Sequence, residues 1–257
     1  MPEFAWLTAR PIAHRGLHDV AAGRLENTLP AAAAAIEHRF SIECDVGLSS
    51  DGEAMVFHDD TLERLTNASG PVTALSAADL AGLTLKGTDA RIPTLGELLA
   101  LIAGRVPLVI ELKSTWAKGG RGRAVNRALI ERVAAVIETY AGPVALMSFD
   151  PDIVEELPRA APTRPHGIVA DRATDARDYP GLSLIERFGL RHLLHAPRTR
   201  PAFVAYDVHA LPMITPLLLR KFFRVPLLTW TVRTPGERAV AQANADQMIF
   251  EGFVPTP

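Results

Sequence analysis

"PLVIELKS", residues 107–114, opens with an apolar run and closes with Glu111 and Lys113 two positions apart. Side chains alternate across a strand, so these two ions share one face. A strand this apolar is buried on both faces, as in a parallel sheet covered by helices. Its charged end therefore marks where the strand emerges. Working outward, seven more runs read the same way: "PIAH" from 11, "SIECDV" from 41, "VALMSF" from 144, "HGIVAD" from 166, "FVAYDV" from 203, "PLLTWTV" from 226 and "QMIFEG" from 247. Amphipathic stretches at 29–38, 123–140, 151–159, 181–195, 212–223 and 235–245 separate them, the rhythm of βα units. The chain has 257 residues and no glycine-rich dinucleotide fingerprint. Eight such strands predict an α/β fold, a (β/α)8 TIM barrel, spanning 1–257 as a single domain. Between the second and third strands lie roughly 60 residues, too many for one helix. That predicts a small inserted segment, 47–92, with an extended run at "AMVFHDD" and a short capped helix at 76–83, followed by the packing helix at 94–103. Loops after barrel strands lie on the catalytic face, so the insertion is expected to roof the site.

Composition narrows the function. With 27 basic against 29 acidic side chains and a net charge of −2, the chain lacks the concentrated basic surface that nucleic-acid binding requires. One cysteine, Cys44, excludes an internal disulfide framework. No uninterrupted apolar stretch reaches ~18 residues, and the first residues carry no export pattern, so the expectation is a cytoplasmic protein without a transmembrane segment. Oligomeric state is not fixed by the sequence.

The second strand repeats the arrangement of the third. Glu43 and Asp45 share one face, with Cys44 on the other. Two ionised carboxylates on one buried face repel, so either the strand is an edge with its acids in water or a cation sits between them. The apolar third strand, with Glu111 at the matching end, favours the cation. Three carboxylates make a hard oxygen site suited to one divalent cation, Mg²⁺ or Ca²⁺. His14 closes the first strand and His58 ends the extended run of the insertion. A lone histidine is more often structural, but two converging on a carboxylate cluster suit acid and base catalysis near neutral pH. Arg15 and Lys113 supply fixed positive charge for an anion, phosphate being the commonest. Trp230 on the seventh strand suits either stacking on a substrate or core packing. Asp150, Asp171, Asp207 and Glu251 follow strands, where barrels place functional groups and where helix caps also fall. The basic run "KGGRGR", 118–123, suits a solvated loop or an anionic head group.

The ordered motifs "HRG", "ENT" (26–28), "ECD", "FHD" and "ELK", with "TLERLTN", "LTWTV" and "IFEGF", resemble the glycerophosphodiester phosphodiesterases over nearly the whole chain. The resemblance implies a barrel enzyme that hydrolyses a small-molecule glycerophosphodiester to sn-glycerol 3-phosphate and an alcohol. It implies a divalent cation held by Glu43, Asp45 and Glu111, an acid-base pair in His14 and His58, and phosphate contacts from Arg15 and Lys113. By the same likeness Glu26 and Asn27 support the site. A lysophospholipase D-like reaction is an alternative, and a catalytically silent binding protein would require a missing histidine or carboxylate; none is missing.

Overall fold

The structure, a computed structural model, describes residues 4–116 and 120–255. The basic run 118–123 begins outside the described residues. In chain order the described elements are β1 (Ile12–Ala13), α1 (Leu29–Glu37), β2 (Ser41–Leu48), β3 (Ala54–Val56), α2 (Ala77–Gly82), α3 (Leu95–Ile102), β4 (Leu108–Leu112), α4 (Gly120–Ile137) and β5 (Val144–Ser148). There follow α5 (Pro151–Ala160), β6 (His166–Ala170), α6 (Leu184–Arg191), α7 (Ala196–Thr199), β7 (Phe203–Asp207), α8 (Ile214–Phe223), β8 (Leu227–Val232), α9 (Pro235–Asn244) and β9 (Gln247–Phe250). Strand order in the sheet is β1-β9-β8-β7-β6-β5-β4-β2-β3, and β1 also pairs with β2. Eight parallel strands thus close into the predicted (β/α)8 barrel, with β3 as an antiparallel addition on β2.

Local sequence explains where the elements begin. Thr94 and Glu97 form a capping box at α3, as do Ser183 and Glu186 at α6 and Thr234 and Glu237 at α9, satisfying amides that the first helical turn leaves open. Thr28 and Ser76 cap α1 and α2 in the simpler way. The stretch 181–195, periodic enough to predict one helix, is helical only over 184–191, and α7 begins just beyond it at Ala196. Leu193 takes φ +51°, which ends α6, and Pro197 then fits the first turn of α7.

Two compact units can be described separately. One comprises Ala13–Lys113 and Arg127–Val144. In it β2 and β4 run parallel in a register that sets Asp45 opposite Glu111. The insertion folds back from β2 through β3, pairing Val46 with Val56 and Leu48 with Ala54. It then buries Met55, Phe57, Leu62, Leu80, Leu85 and Ile92 in a cluster of its own with Leu25. Each buried side chain of that size is worth about 1.5–3 kcal/mol relative to exposure, so the insertion is held by a genuine core. The other unit comprises Met1–Ile12, Ser114–Asn126 and Ala145–Pro257. Its core gathers Ile168, Val204, Tyr206 and Leu227 from β6, β7 and β8 with Val154 of α5 and Leu193. Among the described residues no helix is long and apolar enough to cross a membrane.

Candidate active site

The turn after β1 carries the first group. Arg15 and Gly16 take φ +54° and +80°. A Cβ on Gly16 would lie 2.9 Å from the carbonyl carbon of Ala31, so both backbone conformation and space require glycine. The Gly16 amide donates to the carbonyls of Ala13 and Glu43, and the preceding amide, that of Arg15, donates to Oε2 of Glu43 at 3.0 Å. The turn is thereby pinned to β2. His14 places Nε2 3.9 Å from the same carboxylate oxygen. The Arg15 side chain donates from Nη1 to Oε1 of Glu26 at 2.6 Å. Its Nε lies 3.1 Å from Oδ2 of Asp45, an ion-pair distance without hydrogen-bond alignment.

Glu43, Asp45 and Glu111 converge with carboxylate oxygens all within 4.8 Å of one another, and all three residues are buried. The i, i+2 spacing in β2 and the Asp45–Glu111 register produce this directly. Asn27, with φ +56°, locks Asp45 reciprocally: its amide nitrogen donates to Oδ2 at 2.9 Å, and its oxygen accepts from the Asp45 backbone N–H at 3.2 Å. Lys113 donates to Oε1 of Glu111 at 2.9 Å and stands 3.6 Å from Oδ1 of Asp45. Burial disfavours ionisation of Asp45, but the positive field of His58, Lys113, Arg15 and His14 outweighs it and holds the carboxyl well below its ordinary range. Glu43 goes the other way. Burial and the neighbouring Asp45 and Glu111 push it well above the ordinary range, with Arg15 opposing. Three acids thus face two cations, Arg15 and Lys113, and Glu43 is the acid left short of positive charge. That set of oxygen donors fits a hard divalent cation.

His58 follows the end of β3, placed by the insertion. Its Nδ1 lies 2.7 Å from Oδ1 of Asp59. Arg64 donates to both oxygens of Asp59, from Nε at 2.6 Å and from Nη2 at 2.9 Å, and to both oxygens of Glu26 at 3.0 and 2.7 Å. Burial opposes ionisation of Asp59, yet hydrogen bonds from His58 and Arg64 hold it well below its ordinary range. Glu26 is likewise held low against burial by Arg64 and Arg15. A continuous chain of contacts runs from His58 through Asp59, Arg64, Glu26 and Arg15 to Asp45. Sequence reading named Glu26 as support but gave no role to Asp59 or Arg64. The "HDD" run and the arginine of "TLERLTN" were the available signals, but pairing Arg64 with Glu26 spans 38 positions and follows only from the fold.

The remaining candidates have local explanations. Asp150 caps α5 through the Asp152 amide and also accepts from Ser114. Asp171 accepts from the Ala173 amide and Tyr179 hydroxyl, Asp207 from the His209 amide, and Glu251 from Arg233. His209 sits between Asp207 and Glu237, and His192 meets Phe188 with the rings tilted by 45°. Trp230 belongs to the second-described unit, where its indole N–H donates to the Ala205 carbonyl at 3.1 Å and its ring meets Phe149 edge-on at 5.4 Å. Those contacts are ones a packed tryptophan makes.

Fold and site together define a barrel protein with an acid cluster, two cations and two histidines, a constellation able to hold a divalent cation and a phosphate ester. The profile of the glycerophosphoryl diester phosphodiesterase family matches residues 14–251, and the chain belongs to that family. The glycerophosphodiester phosphodiesterase of Caldanaerobacter subterraneus subsp. tengcongensis is 40% identical over 111 residues, 40% of this chain and 44% of that protein. YhdW of Bacillus subtilis is 35% identical over 127 residues, 46% of this chain and 50% of that protein. The match to these curated relatives thus covers half of their length or less. Among solved structures, a glycerophosphodiester phosphodiesterase from Thermotoga maritima superposes with TM-score 0.68 at 25% identity, covering 93% of this chain and 92% of that one. An Oleispira antarctica phosphodiesterase solved in complex with the product sn-glycerol-3-phosphate shares the fold, with TM-score 0.74 at 21% identity over 93% of this chain and 91% of that one.

Proposed function

We propose that the chain hydrolyses glycerophosphodiesters to sn-glycerol 3-phosphate and an alcohol, with Glu43, Asp45 and Glu111 holding one divalent cation, Mg²⁺ or Ca²⁺. The observation that carries this reading is the convergence of those buried carboxylates with Arg15 and Lys113, while His14 and His58 both bear electrostatically on Asp45. The product named for the Oleispira antarctica neighbour is consistent with it. When bound, the cation would neutralise charge on the phosphate and orient the glycerol hydroxyls. Arg15 and Lys113 add fixed positive charge where phosphate oxygens gain negative charge. One histidine takes the proton of the nucleophile and the other protonates the departing alkoxide, each worth ~10²–10⁴-fold. The hydroxyl adjacent to the ester is the nucleophile in this reading, attacking phosphorus to give a cyclic phosphate that water then opens. Asp59, by accepting from Nδ1 of His58, leaves Nε2 of that ring as the working nitrogen. Glu26 and Asn27 position Arg15 and Asp45, and the inserted segment 47–92 serves to present His58. Trp230 enters the proposal as a stacking group for the substrate on the strength of its place in the motif alone. The deciding experiment measures release of glycerol 3-phosphate from glycerophosphocholine, glycerophosphoethanolamine and glycerophosphoglycerol, with and without chelator. Full turnover after confirmed metal removal refutes the cation role; absence of release from all three with Mg²⁺ and Ca²⁺ present refutes the activity.

A further inference from the structure

Helix α8 is apolar on two opposite sides. Inward, half-buried Leu217 and Leu219, with Met213 just before the helix, pack on the core of β6, β7 and β8, and Pro216 is buried. Outward, Ile214, Leu218 and Phe222 follow one another at four-residue spacing with exposures of 75%, 45% and 67%, and Phe223 beside them is 73% exposed. A helix at a water-facing surface normally carries polar side chains on that stripe. The one charge within it, Lys221, holds its ammonium 5.9 Å from the Phe222 ring centre. Where the helix ends, a cavity of about 670 Å³ is lined by Arg220, Lys221, Arg224, Asn244, Asp246 and Thr8 among others. Arg220 is already committed to Asp246 at 2.9 Å and to the Asn244 carbonyl at 3.0 Å. Lys221 and Arg224, both exposed, make no ion pair among the described residues.

We propose that α8 docks the protein on an anionic phospholipid surface, with Ile214, Leu218, Phe222 and Phe223 entering the interface and Lys221 and Arg224 meeting lipid phosphates at the mouth of the cavity. Charge complementarity chooses this occupant. Residues 214–224 contain no acid, so a second copy joined through this patch by a two-fold axis would add two more cations to the interface and no carboxylate from the helix to pair them. A bilayer rich in anionic lipid offers phosphate to the cations and hydrocarbon to the phenylalanines, the combination that holds interfacial helices in place. None of these positions belongs to the candidate active site, and the proposal stands whether or not the hydrolytic reading does.

The test is co-sedimentation of the full chain with phosphatidylcholine vesicles and with vesicles containing phosphatidylglycerol, at low and high salt. Binding is expected to the second kind only, and to fall with salt. Lys221→Glu and Arg224→Glu should each weaken it by roughly fivefold or more. The pair Phe222→Ser and Phe223→Ser should weaken it by about tenfold or more at unchanged salt dependence. Melting temperature by circular dichroism confirms that the variants are folded, which exposed positions permit. Equal binding to both kinds of vesicle, or charge-reversed and serine variants that bind as the parent does, overturns the proposal. So does a concentration-dependent dimer that Phe222→Ser abolishes while vesicles go unbound, which would assign the face to a second copy.

Discussion

Replacing Asp59 by Asn tests whether the insertion sets the chemistry of His58. Oδ1 of Asp59 meets Nδ1 of His58 at 2.7 Å, and Oδ2 accepts from Arg64 Nε at 2.6 Å. An asparagine must assign its oxygen to one of these neighbours and its NH₂ to the other. Arg64 donates to both positions, Nε at 2.6 Å and Nη2 at 2.9 Å, so either orientation sets the NH₂ against one of its N–H groups; the oxygen stays on the shorter Nε contact, and the NH₂ faces His58 and Nη2. Nδ1 must then accept, which moves the ring proton to Nε2 and removes the lone pair needed there for a base. If His58 works as the acid instead, both ring nitrogens carry protons and Nδ1 meets another donor. Either way a charge-assisted hydrogen bond of about 1.5–3 kcal/mol is lost from the working state. That corresponds to about 10–10²-fold in kcat. The Asp59→Asn, Arg64→Ala double variant frees the amide to flip its oxygen back to His58, so its kcat should exceed that of Asp59→Asn alone. The assay is steady-state hydrolysis of glycerophosphocholine, with the ring tautomer read from long-range proton-nitrogen NMR. A single variant within twofold of the parent, or a double variant no faster than the single, refutes the reasoning.

Other outcomes follow from the same geometry. Glu111→Gln keeps shape and removes one of three converging charges, so cation affinity should fall by an order of magnitude or more in a calorimetric titration while the melting temperature changes little. Asn27→Ala leaves the buried Asp45 amide without its acceptor and puts alanine at φ +56°, which should cost about 2–4 kcal/mol in urea denaturation. His195 is pushed down to about 4 from an ordinary 6.5 by burial and by Arg198. Its folded form therefore stays neutral where the unfolded chain takes up a proton, so its contribution is intact above pH 6.5 and is lost as pH falls towards 4. The loss reaches up to about 3 kcal/mol, reduced by the partial exposure of the ring. His195→Leu should flatten the stability profile between those pH values, and an unchanged slope would contradict the assignment.

The barrel was legible because each of its eight strands leaves a local trace: a short apolar run bounded by turn or helix signals. The carboxylate cluster was legible for a related reason. Period-two alternation sets Glu43 beside Asp45, and two matched strand ends then bring in Glu111. What the sequence hides are relations that depend on how the chain returns. The salt links of Arg64 to Glu26 and Asp59 rest on an insertion whose core residues, Met55 to Ile92, carry no single period. Helix α8 hides in another way. Its pattern at 212–223 reads as an amphipathic helix, but residues on both of its sides are apolar, and only the fold tells which of them face water. The early end of α6 depends on a left-handed backbone conformation at Leu193 that leucine rarely takes and no local residue announces.

Arg15 reaches Glu43 through its backbone and Glu26 through its side chain. Alanine scanning removes only the second of these. An Arg15→Ala protein would still offer the same peptide N–H to the carboxylate, so a modest loss of activity would understate what this position does. Replacing the peptide bond before residue 15 by an ester deletes the N–H and spares the guanidinium. Set beside Arg15→Ala, that single-atom change would apportion the work of one residue between two parts of the chain that side-chain mutagenesis cannot tell apart.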